Sequence, residues 1–69
     1  MKPAELLRRL RRLAAKRGSD LEISEGKNHT KITLAGRRSV MGRHSTDLKT
    51  GTLHGILKQL GLGPDEIEE

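Results

Sequence analysis

The segment Gly26–Leu34, with the sequence GKNHTKITL, begins with turn residues and continues as an alternating strand. Ile32 and Leu34 are apolar, and His29 and Lys31 occupy the intervening polar positions. Successive side chains of a strand point to opposite faces, so the apolar pair predicts a buried face. His29 and Lys31 are then predicted to share the opposite face, where a polymer substrate can reach them.

The flanking sequence predicts two further strands. Leu21–Ser24 alternates apolar and polar residues and indicates a half-buried strand, which Glu25–Asn28 connects to the next one. Ala35–Arg37 has the composition of a tight hairpin connection, and Arg38–Met41 follows as a short third strand. Consecutive hairpins predict a three-stranded antiparallel sheet.

One amphipathic helix is predicted on each side of these strands. The first begins near Pro3 and ends at Gly18, and the second has Thr50 as its candidate N-cap and stops at Gly61 or Gly63. Their apolar stripes are Leu6, Leu10, Leu13 and Ala14 in the first helix, and Leu53, Ile56, Leu57 and Leu60 in the second. The sequence therefore predicts an α+β two-layer sandwich in the order α-β-β-β-α, with both helices on one sheet face.

The length of 69 residues predicts a single domain over residues 1–63, followed by an acidic tail over residues 64–69. We expect this tail to be loosely held, apart from packing of Ile67. The chain has no cysteine and no apolar run near the length of a membrane span. We therefore expect a cytoplasmic protein without membrane association.

The formal net charge is +5. A basic body indicates an anionic partner, of which nucleic acid is the commonest. Because the chain contains no aromatic residue, binding would depend on phosphate contacts and hydrogen bonds rather than on base stacking. A solvated basic surface without a partner is the alternative, and it applies equally to the arginine-rich first helix.

His29 is the first candidate for chemistry. Histidine suits proton transfer near neutral pH, and cations stabilise the charge that develops on phosphorus during RNA cleavage. His29 lies between Lys27 and Lys31 in the sequence, so the residue types fit this reaction. The structural alternative is an inert polar residue on an exposed strand.

The other histidines support weaker predictions. His44, beside Arg43, is a candidate second acid–base group, phosphate contact or capping residue, whereas His54 in the second helix is predicted to be structural. Their spacings match no metal-binding motif, so we predict neither a metal site nor a cofactor. Lys49 precedes the second helix and could help its N-terminus to hold a phosphate, although ordinary capping explains the same residues.

Four segments carry a further signal: Gly26-Lys27-Asn28-His29-Thr30-Lys31, Arg43-His44, Leu48-Lys49-Thr50-Gly51-Thr52-Leu53 and Ile56-Leu57-Lys58-Gln59-Leu60-Gly61. Together they resemble the HicA toxins of HicA–HicB toxin–antitoxin modules. The resemblance extends from Leu6 to Leu62, and it is the order and spacing of these segments that make it specific.

The resemblance implies a double-stranded-RNA-binding-like fold and a metal-independent mRNA endonuclease that blocks translation. It assigns the essential catalytic histidine to His29 and implies a HicB antitoxin that covers the active site. We predict that the residues contacting RNA or phosphate are Lys27, Asn28, Lys31, Arg43, His44 and Lys49. The oligomeric state is left open.

Two functions of other classes are compatible with the same residues. The first is a non-catalytic RNA-binding module that uses the basic sheet face, which would bind RNA without shortening it. The second is a protein-interaction module whose basic surface meets an acidic partner.

Overall fold

The predicted element order is confirmed by a computed structural model that describes residues 1–42 and 47–67. The elements are α1 (Pro3–Arg17), β1 (Leu21–Glu25), β2 (His29–Leu34), β3 (Arg37–Gly42), α2 (Thr50–Gln59) and a 3₁₀ helix (Pro64–Ile67). The third strand is one residue longer at each end than the sequence indicated. Within the described residues, no helix is long and apolar enough to cross a membrane.

The strands form one antiparallel sheet in the order β1-β2-β3. The turn between β2 and β3 is shorter than predicted and consists of Ala35 and Gly36, with φ values of 49° and 84°. Two consecutive residues with positive φ are typical of a type I′ hairpin turn, whose twist matches that of the flanking strands. This turn pairs Leu34 with Arg37 and so sets the register of β3 against β2.

A single hydrophobic core lies between the sheet and the helices. Ile32 is fully buried, and Leu34 and Met41 point to the same side of the sheet. Leu10 of α1 and Leu57 of α2 pack into that cluster, so both helices cover one sheet face, as predicted. Among the residues that the structure describes, the buried apolar side chains are Leu6, Leu7, Leu10, Ala14, Ile32, Leu34, Met41, Leu48, Ile56, Leu57, Leu60, Leu62 and Ile67.

The start of α2 differs from the prediction. Lys49, not Thr50, is the N-cap residue: its backbone is extended (φ −66°, ψ 152°) and its carbonyl accepts a hydrogen bond from the Leu53 N–H at 2.9 Å. Thr50 is therefore already inside the first helical turn, and its prediction as N-cap is wrong.

Gly61 ends α2. Its φ of 75° is left-handed, which favours glycine, and the Leu62 N–H donates to the Leu57 carbonyl at 2.8 Å. Both leucines are buried, so the turn also carries the apolar contact that commonly accompanies this type of helix end. Of the two predicted stop positions, Gly61 is the one used.

The chain after α2 is held against α1. Ile67 is 4% exposed, as its predicted packing requires, and the Arg9 Nη1 donates to the Ile67 carbonyl at 3.2 Å. Arg17 forms an ion pair with Glu66 at 2.7 Å. The tail is therefore packed as far as Ile67, and the expectation that it is loosely held is wrong for these residues. The predicted domain boundary at residue 63 remains a prediction.

Candidate functional site

The sheet face turned away from the helices is the candidate site, and we call it the open face. It is defined by Glu22, Ser24, His29, Lys31, Thr33, Arg38 and Val40, all exposed except the half-buried Thr33. The intervening residues of β2, Thr30, Ile32 and Leu34, are buried. The prediction that His29 and Lys31 share an accessible face is therefore confirmed.

His29 is the first residue of β2 and lies at the hairpin end of the open face. Its carbonyl accepts a hydrogen bond from the Gly26 N–H at 2.8 Å, and it pairs across the sheet with Gly42 of β3. Lys27 and Asn28 form the exposed tip between Gly26 and His29. The backbone of this hairpin therefore determines where the histidine lies, and leaves its side chain exposed.

Lys31 follows His29 on the same face, about 7 Å further along the strand by ordinary strand geometry. It lies between Ser24 of β1 and Val40 of β3 in the register of the sheet. Among the described residues, neither Lys31 nor Lys27 has an ion-pair partner. Their charges are thus available to an anionic ligand on either side of His29.

The other predicted contact residues are less closely grouped. Asn28 is exposed at the hairpin tip beside Lys27, whereas Lys49 lies on a different element, as the exposed N-cap residue of α2. The Lys49 side chain makes no capping hydrogen bond. Arg43 and His44 lie outside the described residues, so their predicted roles remain predictions.

The basic helix α1 is electrostatically different from the open face. Glu5 accepts hydrogen bonds from Arg8 and Arg9, and these bonds lower the pKa of the Glu5 carboxyl to about 2. At the other end of the helix, an ion pair with Arg17 lowers the pKa of Glu66. Part of the α1 charge is therefore neutralised internally, whereas Lys27 and Lys31 form no described ion pair.

His54 is exposed on α2 and makes no described side-chain hydrogen bond or ion pair. An exposed side chain gives no support to its predicted structural role. Within residues 1–42 and 47–67, no three histidine or acidic side chains are grouped so that they could hold a metal ion.

Sequence reasoning did not select Glu22, Ser24, Arg38 or Val40 as site residues, although all four belong to the open face. Arg38, Val40 and Glu22 line a shallow groove of ≈ 340 Å³ together with Lys31 and Thr33. The two-residue strand period, continued from β2 into β3, places Arg38 opposite Thr33 and Val40 opposite Lys31. This pairing could not be predicted from the sequence, because it depends on the length of the turn between β2 and β3.

Three known proteins are similar to this chain over 43 residues, which is 61% of its length. One is named "Probable mRNA interferase HicA 1", from Photorhabdus laumondii, with 46% identity over 75% of that protein. The others are named "Probable mRNA interferase HicA", from Escherichia coli O157:H7, and "Probable mRNA interferase toxin HicA", from Escherichia coli K12. Each of these two is 49% identical over 74% of its own length.

No family profile matches the chain. No solved structure matches it either. The similarity to the three proteins nevertheless covers about three quarters of each, at close to half identity. It agrees with the resemblance found in the sequence, and the order of helices and strands is the one that resemblance implies. The chain belongs to the HicA family.

Proposed function

We propose that this chain is a toxin that cleaves mRNA without a metal ion, with His29 as a catalytic residue. The observation that carries the proposal is the exposed His29 between two unpaired lysines, on a sheet face that no described element covers. The names of the similar proteins support RNA as the substrate.

The reaction that fits these residues is transesterification at the 2′-hydroxyl of RNA. A base takes the 2′-hydroxyl proton, and the oxygen attacks the adjacent phosphorus. The bond from phosphorus to the 5′-oxygen then breaks, and an acid protonates the leaving oxygen. The products are a 2′,3′-cyclic phosphate and a 5′-hydroxyl end, with no oxidation or reduction of either strand.

His29 supplies one of the two proton transfers, and His44 is the candidate for the other. Lys27 and Lys31 flank His29 and stabilise the negative charge of the phosphorane, which is often the largest single contribution to such catalysis. Asn28 donates hydrogen bonds at the hairpin tip. Arg43, which follows the His29 partner Gly42 in the chain, and Lys49 contribute phosphate contacts.

A HicB-like antitoxin is the proposed protein partner. The unpaired cations of the open face favour a partner that presents acidic groups there. Such a partner would bind over His29 and exclude RNA. Neutralisation then follows from competition for one surface.

The test compares wild type, His29→Ala and the matched variant His54→Ala in a host that lacks the antitoxin. We expect wild type and His54→Ala to arrest growth and degrade mRNA, because His54 lies on α2, outside the open face. His29→Ala should lose about 10²–10⁴-fold in cleavage rate, as expected for the loss of an acid–base group. Far-UV circular dichroism verifies that each variant is folded. Co-expression of a HicB-like antitoxin should restore growth of the strain that expresses the wild-type protein.

Undiminished toxicity of a folded His29→Ala variant would contradict the catalytic assignment. Cleavage by the purified protein in the presence of EDTA is expected, and strict dependence on a divalent ion would contradict the metal-independent mechanism. If the purified protein shifts RNA in a gel but never shortens it, the RNA-binding module is the correct function. Binding by that module should weaken steeply with salt because phosphate contacts release counterions.

A further inference from the structure

We propose that the groove beside His29 is a base-reading subsite that holds one nucleotide of the RNA and favours guanine. The groove residues that carry this inference are Glu22, Lys31, Thr33, Arg38 and Val40. The proposal rests on the proposed function and adds to it the residues that choose the cleavage site.

The groove lies in two adjacent cross-strand rows of the open face. One row is Glu22, Thr33 and Arg38, and the next is Ser24, Lys31 and Val40. His29 belongs to the row after that, so the groove begins about 7 Å from it along β2. A nucleotide adjoining the scissile phosphate therefore reaches the groove without leaving the sheet face.

The cations of the groove match a nucleotide phosphate. Lys31 and Arg38 lie on neighbouring strands, and within the described residues neither forms an ion pair. An arginine can bind a phosphate through two parallel hydrogen bonds, and a lysine binds it as a point charge.

Glu22 and Val40 give the groove its preference for a base. Val40 is 49% exposed, and it is the one large exposed apolar side chain of the described residues, so it offers an apolar surface to a base or ribose. Glu22 makes no described hydrogen bond or ion pair, and a carboxylate can only accept hydrogen bonds. The two side chains lie at opposite edges of the groove, because β1 and β3 flank β2.

Guanine is the base that best satisfies a carboxylate. Its Watson–Crick edge presents two adjacent N–H donors, from the ring and from the amino group, whereas uracil presents one donor between two carbonyl oxygens. Single-stranded RNA is read at these edges, because its bases are unpaired. Glu22 should therefore accept two hydrogen bonds from guanine and be repelled by the carbonyls of uracil.

The binding test uses ¹⁵N-labelled protein carrying His29→Ala, titrated with guanosine 3′-monophosphate and with uridine 3′-monophosphate. We expect shifts of the Lys31, Thr33 and Val40 amide signals, and a Kd about tenfold lower for the guanosine nucleotide, the discrimination typical of one bidentate base contact. Glu22→Gln should bring the ratio of the two Kd values close to one, and Val40→Ala should weaken the binding of both nucleotides. Asp20→Asn, which removes an exposed carboxylate outside the groove, is the matched control and should retain the ratio.

The cleavage test maps cut sites made in a mixed-sequence RNA by wild type, Glu22→Gln and Asp20→Asn. Cuts by wild type and Asp20→Asn should concentrate beside guanine, and cuts by Glu22→Gln should spread over other bases. Nucleotide binding in the groove without cleavage by any variant would support the subsite and overturn the proposed function. His29-dependent cleavage with an unchanged pattern in Glu22→Gln, and no amide shifts in the groove, would overturn the subsite and leave the proposed function standing.

Discussion

Ala35 occupies a backbone conformation that alanine seldom adopts. Its φ of 49° lies in the left-handed region, where the Cβ of an L-residue approaches its own carbonyl oxygen. The type I′ turn requires this conformation at both central residues, and only the second, Gly36, is a residue that adopts it freely. The turn that sets the register of β3 therefore contains local strain.

Replacing Ala35 with Asn should relieve that strain. Asn tolerates the left-handed region, and Asn-Gly is the preferred pair for this turn type, so we expect the free energy of unfolding to rise by about 0.5–1 kcal/mol. The free energy of unfolding can be measured by urea denaturation. Far-UV circular dichroism is the suitable probe, because the chain has no aromatic residue that could report by fluorescence.

The same substitution at Ala15 is the control. Ala15 is exposed near the end of α1, where Asn should lower the free energy of unfolding because it is a poorer helix former than Ala. Opposite signs at the two positions would confirm that backbone conformation is the cause. A lower free energy of unfolding in Ala35→Asn would contradict the inference that the backbone at Ala35 is strained.

Among the elements, α1 combines a buried apolar stripe with a charged first turn. Arg8 and Arg9 both donate to Glu5, at 2.6 Å and 2.9 Å, from the positions three and four residues further along the helix. This geometry explains why the pKa of Glu5 falls from an ordinary 4.5 to about 2. When a carboxyl has a lower pKa in the folded chain than in the unfolded chain, it stabilises the fold at pH values above its unfolded-state pKa. This stabilisation is lost as the pH falls through the folded-state pKa.

We therefore expect Glu5 to stabilise the protein above about pH 4.5, and its contribution to disappear as the pH falls towards 2. Glu5→Gln removes the group, so the difference in unfolding free energy between wild type and this variant should be largest at neutral pH. Denaturation curves at pH 7, 4.5, 3 and 2 test this. Asp65→Asn, an exposed acid without a described ion pair, controls for the loss of one negative charge, and a Glu5→Gln difference that is constant with pH would refute the expectation.

The fold closes through contacts between its first and last described elements. The 3₁₀ helix packs on α1, and Ile67 joins the same core as Leu6 and Leu10. A chain of 69 residues has a small core, which rarely contributes more than about 3–5 kcal/mol of net stability. The contribution of one buried side chain is then a large share of the net stability.

Ile67→Ala should cost about 2–5 kcal/mol, because it opens a cavity in the core as well as removing apolar contact. We expect a marked fall in Tm, and unfolding of a substantial fraction of the molecules at 37 °C. Ile67→Val, which removes one methylene, is the graded control and should cost about 0.5–1.5 kcal/mol. An unchanged Tm in Ile67→Ala would show that the 3₁₀ helix does not contribute to the folded core.

Much of the candidate site followed from periodicity alone. The alternation in β2 places Ile32 and Leu34 inward, and from this the exposure of His29 and Lys31 follows without any tertiary information. The helices were predictable for the same reason, since their apolar residues recur at the helical period. The wrong N-cap, Thr50, shows the limit of such reasoning, because Lys49 has the required extended backbone without a capping side chain.

The sequence was enough to determine the order of the elements, the buried face of each and the family. The residues beside Lys31 were determined by the fold, because they depend on how β3 pairs with β2. The two-residue turn at Ala35 and Gly36 places Arg38 and Val40 on the open face, and a shift of one residue would have placed Arg37 and Ser39 there instead. Strand period is a local property, whereas register depends on the turn and on the common core, and for that reason the groove beside His29 became visible only in the folded chain.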